Sequence, residues 1–300
     1  MTNWKIIVMA MNDKIADYIT FPKTFEKYRW YKPILVFVLT IIIMSILSGL
    51  TIAAFYKMAG PDFLRAVLYG GYEILVSPMA MFFMDLIIIM FIPSLYIASK
   101  VVKDRPFSSY SSSRGGWNFK LYFKALIIPM ILFIVYMIAE TAIKGPEGTS
   151  NFSIAFLLLL FISVPLQCIA EEYMFRGFIM QTFGAWFKMP VLAIVLQAIL
   201  FTVCHQYNIL GLFETLVTGL GFGFLAWKTN GLEISSALHT ANNFAVGLFV
   251  MLGLKASTSS PQLWEVVASI VFLIILFIIM YYVGNKTNWF GEISENSQNR

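Results

Sequence analysis

The chain has 300 residues, of which 59% are hydrophobic and only 12% are charged. Soluble domains carry about 25% charged residues, so this composition excludes an ordinary soluble protein. The formal net charge is +5, but the basic residues are spread among loops and form no dense patch. Nucleic-acid binding is therefore not expected, and contact with anionic lipid headgroups explains these charges more simply.

Apolar segments of membrane-spanning length recur along the whole chain. About 20 apolar residues in a helix cross a bilayer, and about eight segments approach or exceed that length. They are 33–55, 76–99, 119–140, 152–180, 190–206, 212–227, 232–253 and 265–284. The sequence therefore predicts an all-α polytopic membrane protein whose main partner is the lipid bilayer.

The basic residues also predict the orientation of these segments. Most of the 21 Lys and Arg residues fall on the inner side if the N-terminus is cytoplasmic, which predicts that both termini are cytoplasmic. Residues 1–32 are expected to form an amphipathic arm on the membrane surface. The Ser- and Gly-rich segment 106–116 is typical of a flexible cytoplasmic loop, and residues 285–300 form a polar tail.

Polar groups inside apolar helices are costly and are usually kept for function. The group of interest comprises Glu171, Glu172, Arg176, His205, His239, Asn242 and Asn243, with Asp85 and Glu214 as isolated candidates. The chain has only two histidines. A single histidine is as readily explained by packing, but two together with paired carboxylates favour a site. Asp85 would bond a neighbouring helix or line a polar cavity, and Glu214 would reach the interface.

Helix geometry assigns different roles to the two adjacent glutamates. Residues four apart share a face, so Glu172 and Arg176 are expected to form a neutralising ion pair. Glu171 lies about 100° away around the helix and lacks that partner, which makes it the better candidate for a proton acceptor. Similarly, His239 and Asn243 project in one direction.

The depth of these groups in the membrane can be compared along the chain. Glu171 and His205 are equally far from the turn near Lys188, so similar depths are expected. His239 follows closely on the turn at Asn230–Gly231 and is expected nearer the cytoplasmic side, so helix tilt must close that gap.

These groups are the parts needed for peptide hydrolysis. A glutamate can draw a proton from water, a histidine can assist as base or ligand, and His with Asn can donate hydrogen bonds to an oxyanion. Glu171, His205 and His239 could instead hold zinc with an open position for water, as in a metalloprotease. No HExxH motif is present, and the sequence leaves metal dependence open.

A further motif has a structural interpretation. The glycines of the run 219–223 (GLGFG) lie in an apolar segment, where small residues usually permit close helix packing. This reading is preferred over a nucleotide-binding loop.

Three motifs in order resemble one known family. Residues 171–176 fit EExxxR, residues 201–205 fit FxxxH and residues 239–243 fit HxxxN. Together they resemble the CPBP (Abi) family, which includes type II CAAX prenyl endopeptidases and many bacterial intramembrane proteases. The resemblance covers about Pro165 to Val246.

The resemblance implies a role for each matching residue. Glu171 would activate water with help from His205, while His239 and Asn243 would stabilise the oxyanion. Glu172 and Arg176 would support them. Zinc is a candidate cofactor, because members of the family have been described both as metalloproteases and as glutamate peptidases.

The resemblance further implies an organisation and a setting. Residues 151–284 would form the catalytic core, preceded by N-terminal transmembrane helices over 33–150. The substrate would be a membrane-associated peptide or lipidated protein. The short inside loops and the lack of a targeting or retention signal separately favour a bacterial plasma membrane. Two alternatives stay open: a non-catalytic immunity or scaffold protein, and a proton-coupled transporter.

Overall fold

The protein is an assembly of apolar helices. The structure is a computed structural model that describes residues 17–69, 77–257 and 260–286. After a 3₁₀ turn at Phe21–Thr24, the elements are α1 (Lys32–Tyr69), α2 (Pro78–Ile89), α3 (Phe91–Val102), α4 (Ser108–Ser111), α5 (Phe119–Lys144), α6 (Ile154–Glu172), a π-helix (Tyr173–Met180), α7 (Gln181–Phe187), α8 (Pro190–Val203), α9 (Ile209–Lys228), α10 (Glu233–Met251) and α11 (Leu263–Lys286). Six helical stretches among the described residues are long and apolar enough to cross a membrane. The prediction of an all-α polytopic membrane protein is confirmed.

Each predicted apolar segment is helical, but one of these helices is short and another is rich in polar residues. Helix α8 has 14 residues, which rise about 21 Å, less than the roughly 30 Å of a hydrocarbon core. Helix α10 has 19 residues, but its polar residues make it less apolar than the six candidate spans. The number of spans and the side of the termini stay predictions.

The predicted terminal segments are described only in part. Residues 1–16 of the arm and residues 287–300 of the tail lie outside the described residues. The described end of the arm contacts the helices, because Asp17 Oδ2 accepts a hydrogen bond from Trp227 Nε1 at 2.8 Å. This contact joins the arm to the C-terminal end of α9.

Two interruptions of the N-terminal helices have local causes. Helix α1 continues past the predicted apolar segment and breaks at Gly60, where φ is 84°. Pro61 follows. The α region is sterically disfavoured for a residue before proline, and glycine can adopt a positive φ instead. The second predicted segment divides at Met90 into α2 and α3. Pro93 lies in the first turn of α3, where its missing N–H costs nothing.

The Ser- and Gly-rich segment 106–116 makes contacts that its composition does not predict. The side chains of Ser109, Tyr110, Ser111 and Ser112 are buried. Leu232 N donates to Ser111 O at 2.8 Å, at the start of α10. Composition predicts how freely a chain bends locally, but it does not encode such long-range hydrogen bonds. The segment therefore holds the start of α10 in place.

Helix α10 lies in the centre of the bundle. It packs against α5, α6 and α9, and every residue from Gly231 to Ala241 is buried. A helix enclosed on all sides needs small side chains for close packing, which Ser235, Ser236 and Ala237 supply. This position brings the polar residues of α10 towards α6.

The glycines of α9 permit close contact with α8, as predicted. A Cβ atom at Gly219 would lie 3.2 Å from Ala198 Cα and 3.3 Å from the Phe201 ring. At Gly223 it would lie 2.6 Å from Gln197 Nε2. The packing interpretation of this glycine run is confirmed.

We expect Gly219→Leu to lower the free energy of unfolding by about 1–3 kcal/mol, because overpacking forces neighbouring groups apart. Thermal unfolding in detergent measures the effect. Gly49→Leu in α1 is the matched control, since no heavy atom lies within 4 Å of the added Cβ. Equal losses in both variants would contradict close packing at Gly219.

Candidate active site

The two adjacent glutamates stand at a change of helix geometry. Glu171 and Glu172 end α6, and the next eight residues, Tyr173–Met180, are π-helical. π-Helical turns are rare and are frequently found at functional sites. The apolar periodicity of this segment gave no sign of the change.

Glu172 and Arg176 form the predicted ion pair. Arg176 Nη1 donates to Glu172 Oε1 at 2.9 Å, and both side chains are completely buried. Arg176 Nη2 also donates to Gly219 O at 3.3 Å, and its guanidinium lies 4.4 Å from the centre of the Phe201 ring. The ion-pair prediction is confirmed, and the arginine ties the π-helix to α9 and α8.

His239 lies between the two glutamates. Its Nδ1 is 3.1 Å from Glu172 Oε1, and its Nε2 is 3.5 Å from Glu171 Oε2. Because an ionised carboxylate only accepts, the short contact indicates that Nδ1 carries a proton. His239 therefore reaches both glutamates, although the sequence predicts it nearer the cytoplasmic side than Glu171.

Glu171 has partners of its own on α6 and α10. It is 9% exposed, and Gln167 Nε2 donates to its Oε1 at 2.6 Å. Asn243 joins the same group, because its Nδ2 donates to Gln167 Oε1 at 3.3 Å. Sequence reasoning missed Gln167, although a polar residue four positions before Glu171 in an apolar helix was a usable signal.

His205 lies at the edge of this group. Its Nδ1 is 2.8 Å from Phe201 O, and its ring stacks on Tyr207 with centroids 5.6 Å apart. The Phe201 ring contacts both His205, at 4.7 Å, and His239, at 6.1 Å. The two histidines are therefore linked by their packing against Phe201 and not by a direct polar contact.

The candidate zinc ligands do not form a ligand set in this structure. Among the described residues, no group of three His, Cys, Asp or Glu side chains is placed to hold a metal ion. Glu171 and His239 converge, but His205 is turned to the Phe201 carbonyl.

The two isolated acids lie in separate polar pairs. Ser163 Oγ donates to Asp85 Oδ2 at 2.6 Å, which joins α2 to α6. Ser269 Oγ donates to Glu214 Oε1, which joins α11 to α9. Asp85 thus bonds a neighbouring helix, one of the two expectations for it, and Glu214 is partly buried.

One protein family matches the region of the chain that holds this site. Residues 151–245 match the family described as Type II CAAX prenyl endopeptidase Rce1-like. The resemblance is confirmed over these residues. The Rce1-like region contains both glutamates, both histidines and Asn243, and a family of endopeptidases supports peptidase activity for this chain at a coarse level.

A bacterial relative extends the comparison. The chain is 28% identical over 208 residues to the uncharacterized protein YyaK of Bacillus subtilis, covering 64% of this chain and 69% of the relative. No solved structure matches the chain. With its apolar helices, the chain is an integral multi-pass membrane protein, and this relative fits a bacterial plasma membrane.

Proposed function

We propose that the protein is an intramembrane endopeptidase that hydrolyses a peptide bond of a membrane-associated peptide or lipidated protein. The observation that carries the proposal is the His239 ring between the Glu171 and Glu172 carboxylates, inside the Rce1-like region. Ionisable groups in apolar helices are costly and are usually functional. Here the His239 ring lies between Glu171, the proposed proton acceptor, and Glu172, the partner of Arg176.

In the proposed reaction, Glu171 is the general base. Its carboxylate takes a proton from water while the water oxygen attacks the scissile carbonyl carbon. The carboxylic acid then returns that proton to the leaving amine when the carbon–nitrogen bond breaks. Glu172 remains ionised beside Arg176, which leaves Glu171 as the carboxylate with proton-transfer capacity.

His239 and Asn243 are the proposed oxyanion donors. Donation from His239 Nε2 requires protons on both ring nitrogens, and the carboxylates on either side of the ring compensate the charge of that form. Asn243 contributes a neutral amide donor. Donors fixed in a water-poor site are worth several kcal/mol at the transition state, typically about 3–4 kcal/mol each.

His205 is proposed to assist the base from the edge of the site. A carbonyl oxygen only accepts, so the contact with Phe201 O places a proton on Nδ1 and leaves Nε2 as an acceptor. Nε2 is then available to orient or deprotonate a water molecule.

The substrate class is tested with purified wild type in detergent and a panel of matched prenylated and unprenylated peptides. We expect cleavage that is absent from a parallel preparation of Glu171→Gln. Preference for the prenylated member of each pair would assign a lipidated substrate. Equal products from both preparations would contradict the proposal, because a contaminating protease would explain them.

The proposed glutamate mechanism also makes a prediction about metal. We expect cleavage to survive chelator treatment, because His205 is not joined to Glu171 and His239 as a ligand set. Metal content is determined on the same samples. Stoichiometric zinc, lost together with activity and restored with it, would overturn the metal-independent form of the mechanism.

A further inference from the structure

Three side-chain amides form a chain of hydrogen bonds that ends on Glu171. Asn242 Nδ2 donates to Asn243 Oδ1 at 2.9 Å, and Asn243 Nδ2 donates to Gln167 Oε1 at 3.3 Å. Gln167 Nε2 then donates to Glu171 Oε1 at 2.6 Å. The chain runs from α10 to α6 and joins the proposed general base to a proposed oxyanion donor.

The direction of this chain is fixed at its carboxylate end. An ionised carboxylate only accepts hydrogen bonds, so Gln167 must present its NH₂ group to Glu171. Its carbonyl oxygen then faces Asn243, which must present its own NH₂ group in turn. Hydrogen bonds aligned in this way polarise and strengthen one another.

We propose that Gln167 is a positioning residue for the hydrolysis, an inference that rests on the proposed function. Gln167 is 6% exposed and lies one helical turn before Glu171. By holding Glu171 Oε1, it leaves Oε2 on the side of His239. It also accepts a hydrogen bond from the Asn243 NH₂ group, which fixes the orientation of the Asn243 amide towards the substrate.

The consequence is a specific kinetic defect when Gln167 is replaced. In Gln167→Leu, the Glu171 carboxylate and the Asn243 amide each lose the hydrogen bond that Gln167 makes with them, and small misplacements of reacting groups cost up to about 10²-fold in rate. We expect kcat to fall by about that factor while KM changes little, because no contact with bound substrate is removed.

The matched control is Gln181→Leu, which replaces another buried glutamine. Gln181 accepts from Arg105 and donates to Ser109 O at 3.1 Å, away from the two glutamates of the site. We expect this variant to unfold at lower temperature with kcat per folded molecule nearly unchanged. A kcat loss as large as that of Gln167→Leu would overturn a specific role for Gln167.

A second variant separates positioning from packing. Gln167→Met keeps the length of the unbranched side chain but removes both the amide donor and the amide acceptor. We therefore expect a loss of kcat comparable to that of Gln167→Leu. Full kcat in Gln167→Met would overturn the proposal, because side-chain shape alone would then suffice.

A stability measurement tests the hydrogen bond without relying on activity. The unfolding temperatures of Gln167→Leu, Asn243→Ala and the double variant form a double-mutant cycle, and contacting residues give non-additive shifts. Additive shifts would overturn the contact on which the role of Gln167 depends. If the wild type cleaves no peptide, the proposed function fails, whereas the cycle still judges this contact.

Discussion

Glu171→Gln is expected to fold normally and to lose peptide cleavage by about 10²–10⁴-fold, the usual contribution of a positioned general base. The amide has the shape of the carboxylate, and its oxygen still accepts from Gln167 Nε2. What the variant lacks is the capacity to take a proton from water. The measurement compares kcat/KM for a cleaved peptide at equal amounts of folded protein.

Two other acids within apolar helices are the matched controls. Asp85→Asn and Glu214→Gln also replace a carboxylate with its amide, but these acids bond Ser163 and Ser269 on neighbouring helices. We expect both variants to keep most of the cleavage activity.

The same three variants judge the alternative functions. A transporter would lose substrate-dependent proton coupling with Asp85→Asn or Glu214→Gln, and a scaffold would tolerate Glu171→Gln in a partner-binding assay. Undiminished cleavage by Glu171→Gln would refute its role as general base.

The helices were predictable because membrane spans follow from length and hydropathy. Their ends were less predictable, since Gly60 and Met90 interrupt apolar runs for local backbone reasons. The contacts of segment 106–116 were not predictable, because they are hydrogen bonds to residues far along the chain. Local composition contains no information about such partners.

The site was predictable where residues share a helix. The Glu172–Arg176 pair follows from a spacing of four residues, and the structure has it at 2.9 Å. Contacts between helices were harder: His239 reaches both glutamates, whereas His205, assigned a similar depth to Glu171, turns to the Phe201 carbonyl. Equal distance from a turn fixes depth but not rotation about the helix axis.

The π-helix and Gln167 were missed for different reasons. A π-helical turn depends on tertiary packing, so the apolar pattern of Tyr173–Met180 does not reveal it. Gln167 was visible as a polar residue in an apolar helix, but its importance depends on Asn243, which a different helix supplies. Pairing across helices is therefore where sequence reasoning reached its limit.

Glu172→Ala is expected to destabilise the protein by about 3–5 kcal/mol, the usual cost of removing one partner from a buried ion pair. Arg176 would remain completely buried, keeping its hydrogen bond to the Gly219 carbonyl but losing the carboxylate that neutralises its charge. The His239 Nδ1 contact would be lost as well. Thermal unfolding and the amount of protein in the membrane measure the effect.

Two further variants separate the buried pair from ion pairs in general. Asp62→Ala breaks an ion pair on the surface. The side chains of Asp62 and Arg65 are 94% and 76% exposed, and such pairs contribute about 0–1 kcal/mol to stability. In the double variant Glu172→Leu with Arg176→Met, no buried charge is stranded, so we expect most of the stability to return.

Activity in that double variant should stay low, because His239 would still lack the carboxylate that holds its Nδ1. Stability restored without cleavage would thus separate the two roles of Glu172, neutralising Arg176 and orienting His239. Normal membrane levels with full activity in Glu172→Ala would refute both.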